Sequence, residues 1–521
     1  MEPIRAIDLA RLAIAAGTVF AGTALQAQTA PPDRCPAIGW AEGLPALQKP
    51  GAAFPTEDTR NLPTPDCAFH QWSWEAFVWA TALDANGLPR FMSLPTLGDL
   101  LDPSPQAGGA RPRQLKLGLR PFQAYDTPGF SEQAGAIVEA DGNMLVAPNG
   151  YPVYASVHMN AAYFAVAKRN LIVNGGYQKQ PADESFAVGA AVFKATWMRL
   201  DPGQKAPAGA FTTQAEVPVL TVYRTKNTLA VAATKQTTRA TVALVGLHVV
   251  GYTANHPEFL WGTFEHKDNA PAFADNTFDP SSTASDPKTY TFYAGGTPWN
   301  HVNYNQGNQA APFLLKFDVA SQKFSTVTVP DNDAGGSYSG TSPSAARGAN
   351  SVLADRTGSE TNSPSGPANI TALNQAAQTT LAHEKAPQST FDSYNLVGTV
   401  WMAPGAYNLQ SDNTNAVGSV NLANTTAETF FQVPKMEPSN AVPTQGGNTM
   451  LNCFLCHNAT SYNFQGNLPK LPSRLIALSH VLAVGSPYSV PNVMPVLVPT
   501  SQGAPAQEAP ATEVAPQPRR K

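Results

Sequence analysis

The sequence predicts an α+β protein: a large β-rich body with several helices, and a short, mostly helical or irregular C-terminal segment docked on it. Three observations lead there. Short runs rich in Val, Tyr, Phe and Thr recur between about residues 135 and 325, separated by turn residues. Forty-seven prolines and 39 glycines in 521 residues favour short strands and tight turns over long helices. A few segments carry a helical period instead, the clearest being His70–Leu83.

Taken in order, residues 1–27 read as a secretory signal: Arg5 and Arg11 supply positive charge, Leu12 to Leu25 form an apolar run, and Leu25-Gln26-Ala27 offers a small residue for cleavage. The alternative, an uncleaved anchor helix, is disfavoured because the run falls short of ~20 residues. An exported, periplasmic protein is therefore expected, with its thiols in an oxidising compartment. Residues 28–66, rich in proline and small residues, suggest an extended arm leading into the body, which runs to residue 330. In His70–Leu83, Trp72, Ala76, Trp79 and Leu83 fall on one face and Trp74, Phe77 and Val78 on a second, so this helix should be buried.

Strands are expected at Val153–Val157, Val188–Thr196, Val217–Tyr223, Val242–Tyr252, Phe259–His266, Tyr290–Tyr293 and Phe313–Phe317, with a helix at Ala161–Arg169. Residues 331–369 are polar and small, a surface loop or linker. The C-terminal part, 370–500, begins with a helix at Ile370–His383 and a strand at Leu396–Ala403, and 501–521 reads as a disordered tail. No internal repeat is visible.

Charge excludes one class of partner. With 33 Lys+Arg against 37 Asp+Glu and a formal charge of −4, there is no basic surface for a phosphate backbone, so nucleic acid binding is not expected. No segment after the leader is long and apolar enough to suggest a membrane span in the mature chain.

The four cysteines carry the chemistry. Cys453-Phe454-Leu455-Cys456-His457 is a C-x-x-C-H sequence, the attachment signature of a c-type haem. Two thiols three positions apart on one turn reach the two vinyl groups of a porphyrin, and the adjoining imidazole reaches the iron. A zinc site would need a second ligand pair close by, and a thioredoxin-like pair would open a helix after a strand; neither context surrounds Cys453. His457 is thus the expected axial ligand of one covalent haem. For the sixth position His480, in the expected helix Ser473–Ala483, is the first candidate, Met494 beside Pro495 the alternative, and a residue from elsewhere in the chain or an open position remains. Cys35 and Cys67 are left to form a disulfide.

A second polar collection lies between Val245 and Asn269 and contains His248, His256, Glu258, Glu265, His266 and Asp268. If a strand continues through it, His266 and Asp268 share a face. Metal ligation, acid–base work or a distal position at the haem would suit these residue types, although the spacings fit no familiar ligand pattern and such polar groups in a β-rich protein are usually satisfied by hydrogen bonds.

The haem motif resembles that of c-type cytochromes. More of the chain, through WSWEAFVWA (72–80), LVGLHVVGYTANHPEFLWGTFEHKDNAP (244–271), CFLCHN and LSHVL (478–482), resembles a group of exported single-haem bacterial proteins. That resemblance implies export and one haem c, and implies no particular reaction. The leading functional expectation is an exported monohaem c-type cytochrome in one-electron transfer with a redox protein or small-molecule donor or acceptor. A haem oxidase or peroxidase with a pocket in the β-rich body is the alternative, because about 400 further residues exceed what carriage requires. A scaffold with structural haem is the third.

Overall fold

The computed structural model describes residues 38–57, 65–96, 99, 115–119, 146–172, 186–224, 229–256, 258–271, 283–298, 313–328, 360–361, 370–383, 391–402, 416–419, 424–427, 494–495 and 507–508. They form an α+β fold, as the patterning predicts.

The helices are α1 (Ile38–Ala41), α2 (Leu44–Leu47), α3 (Pro65–Thr81), α4 (Arg90–Ser93), α5 (Ala161–Ile172) and α6 (Ile370–His383). The strands are β1 (Leu115–Lys116), β2 (Gly118–Leu119), β3 (Val153–Met159), β4 (Ala191–Arg199), β5 (Thr212–Arg224), β6 (Leu229–Gly251), β7 (Leu260–His266), β8 (Phe313–Asp318), β9 (Lys323–Thr328), β10 (Glu360–Thr361), β11 (Tyr394–Met402), β12 (Ala416–Ser419), β13 (Met494–Pro495) and β14 (Gln507–Glu508). Among the described residues no helix is long and apolar enough to cross a membrane.

One sheet dominates, in the order β10-β12-β11-β7-β6-β4-β3-β2. The long strand β6 pairs with β4 through 242–251, with β7 through 246–251 and with β5 through 229–243. Every pairing along the main order is antiparallel, whereas β1 and β14 join β5 in parallel. β8 and β9 form a separate hairpin. The stretch 331–369, expected as a loop or linker, contains β10, which is paired to β12 at the end of the main sheet.

Helix α3 lies against one face of this sheet and is enclosed along its length, as its two apolar faces require. Phe77 stacks on Phe264 of β7 at 4.1 Å, and Trp74 meets the same ring edge-on. Burying each such aromatic contributes roughly 1.5–3 kcal/mol, provided its polar tip is matched. Here the tips are matched: the indole N–H of Trp72 donates to Pro55 O, that of Trp79 to Ala52 O and that of Trp74 to Asn374 Oδ1 on α6. These partners account for the aromatic run as core.

Two strand glycines admit the helix. A Cβ at Gly251 would lie 2.5 Å from Trp72, and one at Gly262 would lie 2.4 Å from Ser73 Oγ, which is itself bonded to Thr399 Oγ1.

Several sequence expectations change. Residues 38–47 form two short helices rather than an extended arm, because Ala41 and Leu44 enter the core and the Trp40 indole donates to Glu75 on α3. Tyr290 and Tyr293 form an isolated bridge instead of a strand; the Tyr293 hydroxyl donates to Thr297 O and holds a turn. β6 begins thirteen residues before the expected Val242, its polar first half being paired with β5. β14, from the stretch read as a disordered tail, pairs with β5.

Gly262→Ala should destabilise the protein by about 1–3 kcal/mol, since its methyl meets a hydroxyl that cannot withdraw without losing a bond. Gly39→Ala, with open space around it, should stay within about 0.5 kcal/mol of wild type. Urea unfolding monitored by tryptophan fluorescence measures both.

Candidate functional site

The pleat of β7 separates two chemical environments. Gly262, Phe264 and His266 face α3 and Tyr394, whereas Thr263 and Glu265 face the opposite side. Register extends that opposite face across the sheet: Lys194, His248 and Thr263 lie in one row, and Thr196, Gly246 and Glu265 in the next. Between Thr196 and Trp197 the β4–β6 register shifts, leaving Val245 as the extra residue of a bulge.

Glu265 is fully buried and bonded locally: Oε1 accepts the Thr425 backbone N–H at 2.6 Å and Oε2 accepts the Asn269 amide at 3.2 Å. Asn424 donates to Thr263 Oγ1 and Phe264 O, and its Oδ1 accepts from Thr426. Thr426 also bonds Thr196 Oγ1 at 2.6 Å. The turn 424–427 is therefore seated on the sheet, and Gly246 makes room for it: a Cβ there would lie 2.5 Å from Thr426 Oγ1. Nothing in the sequence reading singled out Asn424, Thr425 or Thr426. The available signal was Gly246, since glycine inside a strand marks close approach by another segment.

His266 and Asp268 do not share a strand face. β7 ends at His266, and Asp268 lies in the following turn, 3.8 Å from Lys288. The His266 ring is used on both sides: Nε2–H donates to Ala208 O at 3.0 Å and Nδ1 accepts the Asp268 backbone N–H at 3.2 Å. Burial lowers its pKa, outweighing the opposing bond to Ala208 and the charge of Asp268. It is a structural histidine.

His256 and Glu258 are brought together. They sit in the turn before β7 with His256 Nδ1 2.8 Å from Glu258 Oε1, and both are buried, at 6% and 1% exposure. A carboxylate oxygen accepts, so Nδ1 is the donor of this bond. The ring meets Phe69 of α3 edge-on at 4.8 Å, and Phe69 packs in turn on Trp401. The turn closes through the Phe259 N–H to His256 O, and the Trp261 indole donates to Glu258 O. Phe259 itself has φ 70°, an unusual left-handed conformation for an aromatic residue, held by packing against Phe186 and Tyr252. This pair can hold or move a proton at Nε2, or offer that nitrogen to a metal.

Of the haem-related residues, Cys453, Cys456, His457 and His480 lie outside the described residues, as does Cys35. Met494 opens β13, its backbone opposite Val231 of β6. Cys67, fully buried on α3, is disulfide-bonded. His248 is half-buried on the polar row. Among the described residues no three His, Cys, Asp or Glu converge as a metal cluster. No family model, curated protein or solved structure matches the chain.

Two consequences are measurable. Glu265→Ala should cost on the order of 2–4 kcal/mol, because it strands the buried Thr425 N–H and Asn269 amide, while Glu265→Gln, which keeps an acceptor, should cost less; denaturant titration ranks them. For His266, the folded form binds its proton less readily than the unfolded chain, whose pKa is near 6.5. The stabilisation is complete above pH 6.5 and is lost as pH falls through the lower folded value, with a slope of at most about 1.4 kcal/mol per pH unit. Comparing His266→Gln with wild type by thermal melts between pH 4 and 8 should show this acid slope removed.

Proposed function

We propose that the chain is an exported monohaem c-type cytochrome that transfers single electrons. The observation that carries the reading is Cys453-Phe454-Leu455-Cys456-His457 in the same chain as an apolar, Arg-bearing stretch at 1–27 that reads as a leader, because covalent haem attachment requires both the paired thiols and passage out of the cytoplasm. Cys453 and Cys456 would hold the porphyrin through thioethers, and His457 would bind the iron. The bound group supplies a one-electron ferric/ferrous couple.

The donor set fits that group. The disulfide at Cys67 suits an oxidising compartment and removes that thiol from competition for the porphyrin. On this reading a short haem-bearing segment, which cannot bury a porphyrin alone, would draw that burial from the larger body. A redox protein or small-molecule donor or acceptor would complete the cycle.

Protein matured in a host with haem-attachment machinery should show the mass of the processed chain plus one haem, and its pyridine haemochrome should have the c-type band position. Cys453→Ser with Cys456→Ser should abolish the covalent increment. A wild-type mass without that increment overturns the proposal.

A further inference from the structure

We propose that the outer edge of β6 is a docking surface for the chain's own residues 487–493, which extend β13 backwards into a longer strand. The inference goes beyond the haem reading and does not depend on it. It rests on the direction in which the backbone groups of β6 point and on where the prolines of one segment fall.

The edge comes first. β6 is paired with β4 only from 242 onward and with β5 on its other side. Between 229 and 241 its outer backbone is paired, among the described residues, only by Met494 and Pro495 and by the Leu200 N–H, which donates to Thr241 O. The side chains of Gln236, Thr237, Arg239 and Thr241 are exposed there. Such an edge carries a row of N–H and C=O groups that a further strand can pair.

Which residues face outward follows from β5. Glu216 O accepts the Leu117 N–H just after β1. Leu220 exchanges two bonds with the Gln322 side chain, its N–H donating to Oε1 at 2.6 Å and its C=O accepting from Nε2 at 2.9 Å. Both residues therefore point away from β6. Opposite residues of an antiparallel pair either face each other or both face away, so Arg239 and Ala233, their partners, turn their backbone groups to the outer edge, and Val231 and Leu229 do so by alternation. The register shift between Pro218 and Leu220 preserves this order, since Pro218, which has no N–H to give β6, stands opposite Thr237. Odd-numbered residues of β6 thus face the open side. Val231 lies opposite Met494, so Met494 points its N–H and C=O at β6 and Pro495 points away.

The sequence before and after β13 fits that arrangement. Prolines stand at 487, 491, 495 and 499, every fourth position. Alternate residues of a strand turn their backbone groups to opposite edges, so all four prolines share the outward side and no missing N–H falls toward β6. The residues that offer an N–H to β6 are Tyr488, Val490, Asn492 and Met494. Continued without a shift, the register sets Asn492 opposite Ala233 and Tyr488 opposite Thr237. The outward prolines then close the sheet to any further strand. On this assignment the stretch carrying Cys453 to His457 lies between two sheet-bound points, the turn 424–427 before it and this strand after it.

Residue-resolved amide hydrogen exchange on the full-length protein tests the docking. In the wild type the N–H groups of Val231, Ala233, Thr237 and Arg239 should exchange at least about tenfold more slowly than exposed amides. Asn492→Pro, which places a proline on the inward side, should remove most of that protection, whereas Val493→Pro, on the outward side, should leave it intact. Unprotected odd-numbered amides in the wild type overturn the proposal, as does an equal effect of the two variants. If Asn492→Pro does not accumulate, the wild-type pattern decides alone. Protection that accompanies a dimer in light scattering and disappears on dilution assigns the strand to a second copy and overturns docking within one chain.

Discussion

The burial of α3 against the sheet is the constraint on which the remaining architecture depends. A helix with Trp72, Trp74 and Phe77 at essentially zero exposure removes a large apolar area from water, but each buried indole N–H needs an acceptor or it costs more than it contributes. Those acceptors come from residues 52 and 55 before the helix and from Asn374, 300 positions after Trp74. Asn374 in turn accepts from Leu396 N and donates to Leu396 O, so the helix, α6 and β11 are locked through one side chain. The N-terminal segment, the first half of the body and the residues after 370 are thereby held as one core.

The opposite face of the sheet is built differently. There Glu265, Asn424, Thr426 and Thr196 exchange hydrogen bonds over Gly246, and the apolar groups lie to either side. A buried carboxyl group left without donors is costly. Two donors from separate loops satisfy Glu265, and make the turn 424–427 part of the sheet's structure. The bulge at Val245 assists by bending β6 where this turn is seated.

Between these faces, in the turn that reverses the chain from β6 into β7, lies the His256–Glu258 pair. It differs from the network around Glu265 in what it leaves open. The network closes on itself through hydroxyl, amide and carboxylate groups, whereas the dyad bonds one ring nitrogen and presents the other. The first arrangement stabilises a fold; the second is suited to a metal or to a proton.

Local pattern was enough for much of this. The α+β class follows from turn-bounded β runs, α5 and α6 from their apolar period, and β3, β7 and β11 from β-branched and aromatic density, because such signals act within a few residues. The C-x-x-C-H motif is legible for the same reason: its chemistry is complete within five positions. Tertiary structure alone decided which polar residues meet. His266 and Asp268 look like a pair in the sequence but are parted by the end of β7, while Thr426 reaches Thr196 across 230 positions. Whereas the His256–Glu258 contact joins residues two apart in one turn, whether a buried histidine is spent on a carbonyl, as His266 is on Ala208 58 positions away, depends on which distant backbone packs beside it. Composition and spacing hold no record of that, because packing against remote segments, not local propensity, sets each side chain's bonding partners.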